Sequence, residues 1–168
     1  VMDNSDEAVL RASANISNSV MYENALDGAH IEYVLEGSRL RENIILTKKL
    51  SKYEYGFTIK ADGMTAALES DGSITFSAEG NVVFTIPAPF MYDAVGERST
   101  SVSYSLSEVK GLYFLTLTAS ADWINDESRQ FPVTIDPDIE IANGDSNVTY
   151  ATAVNGVKSG TSPDIGRT

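Results

Sequence analysis

The sequence contains no cysteine and a single histidine, His30, among its 168 residues. Without cysteine, the chain has no disulfide framework, no cysteine-ligated zinc and no thiol catalysis. One histidine excludes a three-histidine metal site, so we expect no transition metal. A Ser-His-Asp triad would need His30 as its base, and no nucleophile elbow accompanies it. The sequence therefore predicts no catalytic residues.

Basic residues are also scarce, with 12 Lys and Arg against 24 Asp and Glu, which gives a formal net charge of -12. A surface of this sign repels phosphate backbones and anionic lipid, so the composition predicts no nucleic-acid partner. No apolar run approaches the length of a membrane span, which predicts no membrane insertion. Hydrophobic residues make up 42% of the chain, enough for a folded core.

Short alternating segments rich in β-formers fill the chain from about Ala29 to Asp136. Turn signals separate them every eight to twelve residues or so, and helical periodicity is almost absent. The pattern predicts an all-β fold, an antiparallel β-sandwich or flattened barrel, with one short helical turn near residues 121–126. Two hairpins are expected, over residues 31–46 and 66–76.

The composition changes near both ends of this β-rich region. Residues 1–20 are small and polar, and they are predicted to be a lead-in segment that begins as if cut from a longer chain. Residues 21–140 form the predicted β-sandwich module. Residues 141–168, rich in Gly, Ser, Thr and Asn, are expected to be a linker or the truncated start of a next β-domain.

The alternation also predicts the core. Trp123, the single tryptophan, is expected to close one end of the sandwich, although an exposed aromatic could instead stack on a sugar. The other aromatic candidates for such a role are Tyr33, Tyr53, Tyr55, Tyr92, Tyr104 and Tyr113. The residues predicted to be buried are Ile31 or Tyr33, Phe57, Ile59, Ile86, Leu115, Leu117, Trp123 and Val133.

Three segments carry a family resemblance: 22–29 with 31–33 and 41–44, 86–93, and 121–126 with 131–137. Together they resemble a module found upstream of YD-repeat (Rhs-type) arrays and DNRLRE-type regions in large wall-associated proteins of Gram-positive bacteria. The resemblance implies a secreted or cell-wall-associated location and neighbouring domains of the same polypeptide as partners. No catalytic motif of that family maps onto the chain.

Calcium is the one cofactor for which the sequence offers ligands. Asp122, Asp126, Asp136 and Asp138 flank the Trp123 corner and the closing strand, and calcium takes oxygen ligands. No EF-hand pattern is present, and Asp122 is expected instead to cap the turn. An isopeptide crosslink drawn from Lys48, Lys60, Asn43 and Asp136 is a further idea that no motif selects.

Three functions compete on this evidence. The leading prediction is a non-catalytic structural or spacer module, which is not an enzyme. The alternative is a carbohydrate-binding module that takes cell-wall or host glycans on an aromatic surface. A hydrolase that uses a pair of carboxylates is the third, although 24 acidic residues make such pairs uninformative.

Overall fold

The computed structural model describes residues 19–36, 39–136, 138–141 and 149–152. These residues form fourteen strands and one four-residue helix, α1 (Ala121–Ile124). The strands are β1 (Ser19–Leu26), β2 (Ala29–Glu36), β3 (Arg39–Leu46), β4 (Glu54–Lys60), β5 (Thr65–Leu68), β6 (Ile74–Ala78), β7 (Asn81–Ile86), β8 (Phe90–Tyr92), β9 (Arg98–Ser99), β10 (Val102–Val109), β11 (Leu112–Ala119), β12 (Val133–Asp136), β13 (Asp138–Ile141) and β14 (Thr149–Thr152).

The strands form two sheets, and every pairing within them is antiparallel. Sheet A has the order β5-β6-β7-β13-β3-β12-β8-β9, and the β1–β2 hairpin pairs with β3 through β2. Sheet B has the order β10-β11-β4-β14. No strand pair joins the two sheets within the described ranges. The predicted all-β sandwich is confirmed, and a closed barrel is not formed.

The core lies between the two sheets. Along β4 the buried residues Tyr55, Phe57 and Ile59 alternate with partly exposed ones, as the period-two pattern predicts. Phe76 of sheet A meets Tyr113 of sheet B edge to face, with ring centroids 5.4 Å apart. Other buried residues of this core include Ile44, Leu46, Ile74, Phe84, Ile86, Met91, Leu115, Leu117, Ile124, Val133 and Ile135.

Both predicted hairpins form. β2 pairs with β3 from Ala29↔Leu46 to Glu36↔Arg39, and β5 pairs with β6 from Thr65↔Ser77 to Leu68↔Ile74. The β10–β11 hairpin turns at Lys110-Gly111, where both residues have positive φ, 51° and 80°. Two central residues with positive φ define the turn whose twist matches that of the flanking strands.

The corner near residue 121 differs from the prediction in two respects. Ser120, rather than Asp122, caps α1, and its side-chain oxygen accepts a hydrogen bond from the Trp123 N–H. Ile124, rather than Trp123, is the fully buried residue of the corner, and Trp123 is partly exposed against the core. Successive side chains of a helix point about 100° apart around its axis, so Trp123 and Ile124 face different surroundings and only Ile124 points fully into the core.

Strand β14 pairs with the edge of β4, from Thr149↔Lys60 to Thr152↔Phe57. Residues 1–18 of the predicted lead-in, and residues 142–148 and 153–168 of the predicted tail, lie outside the described residues. The division of the chain near residues 20 and 140 therefore stays a prediction. Among the described residues, no helix is long and apolar enough to cross a lipid bilayer.

Candidate functional site

The candidate site lies on the face of sheet A that points away from the core. Strand β12 sits between β3 and β8, with Ile135 opposite both Ile44 and Met91. These three residues are almost completely buried in the core. Because strand residues alternate between faces, their neighbours along each strand point the other way. The outer face therefore collects side chains from three strands that are distant in sequence.

Strands β3 and β12 supply a partly buried ion pair to this face. Arg41 Nη2 lies 2.5 Å from Asp136 Oδ2, and the Asp136 side chain is fully buried. A buried carboxylate without a cation would carry a large desolvation cost, so this contact holds Arg41 in place. Nearby, the buried Asn43 donates from Nδ2 to Glu32 Oε2 at 2.9 Å. The charge of Arg41 is thus engaged by the protein itself.

Strand β8 and the turn after it form a shallow cavity, which we call the β8 cleft. It is lined by Arg41, Phe90, Tyr92, Gly96 and Arg98, and its volume is about 300 Å³. A second cavity of about 380 Å³ continues from Phe90 and Arg98. The second cavity also reaches Ser99 and Thr100 on the far side of Arg98.

An aromatic pair and a guanidinium shape the β8 cleft. The rings of Phe90 and Tyr92 lie at 28° to each other, with centroids 6.1 Å apart. The Arg98 guanidinium carbon lies 4.1 Å from the centre of the Phe90 ring. Arg98 is exposed, and within the described ranges it has no carboxylate within ion-pair distance. The arrangement places one exposed guanidinium over the Phe90 ring and beside Tyr92.

The turn between β8 and β9 is held by the buried carboxylate of Asp93. This carboxylate accepts hydrogen bonds from the backbone N–H groups of Val95, Glu97 and Gln130 at 3.1, 3.0 and 3.3 Å, and from Arg129 Nη1 at 3.2 Å. Burial alone would raise the pKa of Asp93. The three N–H groups and the Arg129 charge outweigh that effect and lower the pKa below its ordinary value.

The predicted calcium ligands lie in different surroundings. Asp122 and Asp126 are exposed, and Asp126 Oδ1 accepts from the backbone N–H of Ser128 at 2.8 Å. Asp136 is committed to Arg41, and the side chain of Asp138 lies outside the described residues. No group of three His, Asp or Glu side chains close enough to hold a metal occurs in the described part of the chain. A calcium site stays a prediction.

The other sequence candidates are also dispersed. His30 Nδ1 accepts from the backbone N–H of Asn24 at 2.9 Å, and so supports the β1–β2 irregularity. Lys48 pairs with Asp27 and Lys60 with Asp62, both at the surface. Neither lysine is paired with Asn43 or Asp136, so the structure gives the isopeptide idea no support.

Sequence reasoning did not single out the β8 cleft. It placed residues 86–93 in a resemblance, and it counted Tyr92 only among aromatics that could meet a sugar. The available signal was the alternation Phe90-Met91-Tyr92, which presents two aromatics on the face opposite a buried methionine. That signal covers only three residues. Arg41 reaches the cleft because β12 pairs with both β3 and β8, and local sequence patterns do not reveal which strands pair.

The fold and the cleft define an all-β sandwich protein with a small aromatic and cationic surface site. No family model and no solved structure matches the chain. The chain is 34% identical over 134 residues, 75% of its length, to the tRNA nuclease WapA of Bacillus subtilis strain 168. It is equally similar to the tRNA3(Ser)-specific nuclease WapA of Bacillus spizizenii and to the tRNA(Glu)-specific nuclease WapA of Bacillus subtilis subsp. natto. The chain spans only 6% of the length of these relatives.

These relatives correct four predictions. They are named as nucleases, which contradicts the resemblance to a module upstream of YD-repeat regions and the prediction of a non-catalytic structural or spacer module. The predictions that the protein is not an enzyme and has no nucleic-acid partner are likewise wrong. The carbohydrate-binding alternative fits the relatives no better. The predictions were drawn from the net charge and the motifs of these 168 residues alone, whereas the relatives are far longer.

Proposed function

We propose that this chain is a segment of a nuclease that acts on tRNA. The observation that carries the proposal is the 34% identity over 134 residues to three proteins named as tRNA nucleases. The match covers 75% of the chain, which is most of the sandwich rather than one short motif. A segment of this kind works within a longer polypeptide, because it spans 6% of each relative.

Cleavage of an RNA phosphodiester needs a positioned acid and base or a metal ion. In the described residues, His30 is engaged by a backbone N–H and no metal-binding cluster is found. What these residues do offer is a surface where a flat ring and an anion could be held together, in the β8 cleft. We propose that this segment contacts the RNA at that surface.

The proposed location is outside the cytoplasm, secreted or associated with the cell wall. A chain without cysteine keeps the same covalent structure in an oxidising exterior, where thiols would pair. Antibodies against the chain, applied to culture medium, wall extract and cytosol, would test the location. Protein confined to the cytosol would contradict it.

The activity itself is tested with the complete gene product that contains this chain. Purified protein is incubated with total bacterial tRNA, and the products are resolved on a denaturing gel and sequenced at their new ends. We expect cuts at a defined position in one tRNA or a few. Double-stranded DNA of equal length serves as the control substrate. Intact tRNA after prolonged incubation with excess folded protein would contradict the proposal.

A further inference from the structure

We propose that the β8 cleft binds one unpaired nucleotide of RNA, with the base on the Tyr92 ring and the phosphate on Arg98, whose guanidinium lies over the Phe90 ring. The inference rests on the proposed function and specifies which part of the RNA this segment contacts.

The aromatic surface is suited to a nucleobase. Phe90 and Tyr92 stand on the outer face of sheet A and are partly exposed, while Met91 between them is fully buried. The core therefore anchors the strand and leaves the Tyr92 ring partly exposed, beside the Phe90 ring that the Arg98 guanidinium covers. Stacking of a base on an aromatic side chain contributes about 1–3 kcal/mol and tolerates any base. Single-stranded RNA is commonly recognised in this way on sheet faces.

The cation beside the rings is suited to a phosphate. Arg41 is engaged by Asp136, so the available charge at the cleft is that of Arg98. Its guanidinium is already held over the Phe90 ring at 4.1 Å, which fixes its position relative to a stacked base. A planar guanidinium can donate two parallel hydrogen bonds to phosphate oxygens. Thr100, which lines the adjoining cavity, adds a hydroxyl donor at the same edge.

The size and the charge of the site limit the ligand to one nucleotide. Cavities of 300 and 380 Å³ lie at the lower end of the range of about 300–1,000 Å³ typical of small-molecule sites. The formal charge of -12 opposes a long run of phosphates on the chain. Because ions screen this repulsion beyond about 8 Å at physiological salt, a single local contact is still favourable. A duplex, which conceals its base faces, cannot use the rings.

The test is a nuclear magnetic resonance titration of the 168-residue chain, which measures amide shifts and their dissociation constants. Separate titrations use adenosine monophosphate, adenosine, inorganic phosphate, a six-nucleotide single-stranded oligoadenylate and a blunt RNA duplex. We expect shifts confined to residues near 90–100 and 41, with the monophosphate and the single strand bound. Adenosine and phosphate alone should bind at least about tenfold more weakly, because each uses only half of the site.

Salt dependence gives a second readout. One phosphate contact on single-stranded RNA predicts a slope of about -0.7 for the logarithm of the binding constant against the logarithm of salt concentration. A slope near -3 would instead mean a general electrostatic surface and would overturn the assignment of one nucleotide.

Variants separate the two halves of the site. Arg98→Ala should weaken monophosphate binding about tenfold, because a charge-assisted hydrogen bond is lost. Tyr92→Leu should weaken it about fivefold or more through lost stacking, with phosphate binding unchanged. Lys110→Asn is the matched control, since it removes a cation from the β10–β11 turn and keeps a residue that tolerates positive φ. Its binding should equal that of the parent.

Three results would overturn the inference. The first is the absence of any amide shift at about 10 mM monophosphate, which is about the weakest affinity of interest. The second is equal affinity for phosphate and for the monophosphate. The third is an affinity for the duplex as high as that for the single strand. None of them bears on cleavage of tRNA by the complete protein, so the proposed function would stand. Conversely, monophosphate binding by a chain whose complete protein leaves tRNA intact would support the cleft and contradict the nuclease.

Discussion

At the scale of single residues, two nearby tyrosines show that a buried hydroxyl group is not always hydrogen-bonded. Tyr53 and Tyr55 are both buried on the core side. The Tyr53 hydroxyl donates to Asn125 Oδ1 and accepts from the Leu50 N–H, each at 2.7 Å. The Tyr55 hydroxyl is buried and has no hydrogen-bond partner among the described residues. Burial, and then the nearby Tyr53, raise the pKa of Tyr55 well above its ordinary value.

Removal of each hydroxyl should therefore have opposite effects on the free energy of unfolding. Tyr53→Phe should destabilise the fold by about 1–3 kcal/mol, because the Leu50 N–H and the Asn125 amide each lose a partner. Tyr55→Phe should be neutral or stabilising by up to about 1 kcal/mol, because it removes a polar group that pays desolvation without a bond. Urea denaturation measures both. A larger loss for Tyr55→Phe would contradict this assignment.

Asp93 is a second residue whose environment gives a measurable effect. Its pKa is lowered in the folded state, so its contribution to stability is present above the unfolded value of about 4 and is lost as pH falls through the folded value. The melting temperature of the parent should therefore fall as pH drops below about 4. Asp93→Asn should lower the melting temperature at pH 7 and flatten this acid-side fall.

The control for this prediction is Asp122→Asn, at an exposed position in α1. It should leave the melting curve at pH 7 unchanged within error. Parallel acid-side curves for the parent and Asp93→Asn would show that another carboxylate governs the acid response.

At the scale of elements, sequence predicted strands well where one face is buried. β4 and β11 alternate cleanly, and they are where the pattern places them. β1 spans the predicted boundary between the lead-in and the module, and the sequence did not mark it as a strand. Six of its eight residues are exposed, so no buried face alternates along it. β8 and β9 have three and two residues, so neither can show a period. The turns were predictable from their glycines, because few other residue types adopt a positive φ.

The turn at Gly28 allows a test of strain against packing. Gly28 has φ +70°, and an added Cβ would lie 2.5 Å from Lys48 Cε. Gly80 has φ +81° and open space around it. Each change to alanine should cost about 1 kcal/mol from backbone strain. Gly28→Ala should cost a few tenths of a kcal/mol more, because Lys48 must move away from its pair with Asp27.

Comparison of the urea midpoints of the two variants measures that difference directly. A Gly80→Ala variant less stable than Gly28→Ala would show that the Lys48 contact carries no cost.

At the scale of the whole molecule, the arrangement of strands decides the site. β12 inserts between β3 and β8, which pairs Ile135 with Ile44 across 91 positions of sequence. Local patterns identify strands but do not fix which of them become neighbours. Arg41 and Phe90 reach one cleft only through this insertion. The chain's average charge likewise does not show that the exposed Arg98 lies beside two aromatic rings.

The central claim is that the β8 cleft contributes to substrate binding in a tRNA nuclease. The most direct measurement is the steady-state cleavage of tRNA by the complete protein, as the parent and with Arg98→Ala or Lys110→Asn. We predict that Arg98→Ala raises KM about tenfold with kcat nearly unchanged, because a contact made equally in the bound and transition states alters only binding. Lys110→Asn should match the parent. Identical KM and kcat for all three proteins would contradict the claim.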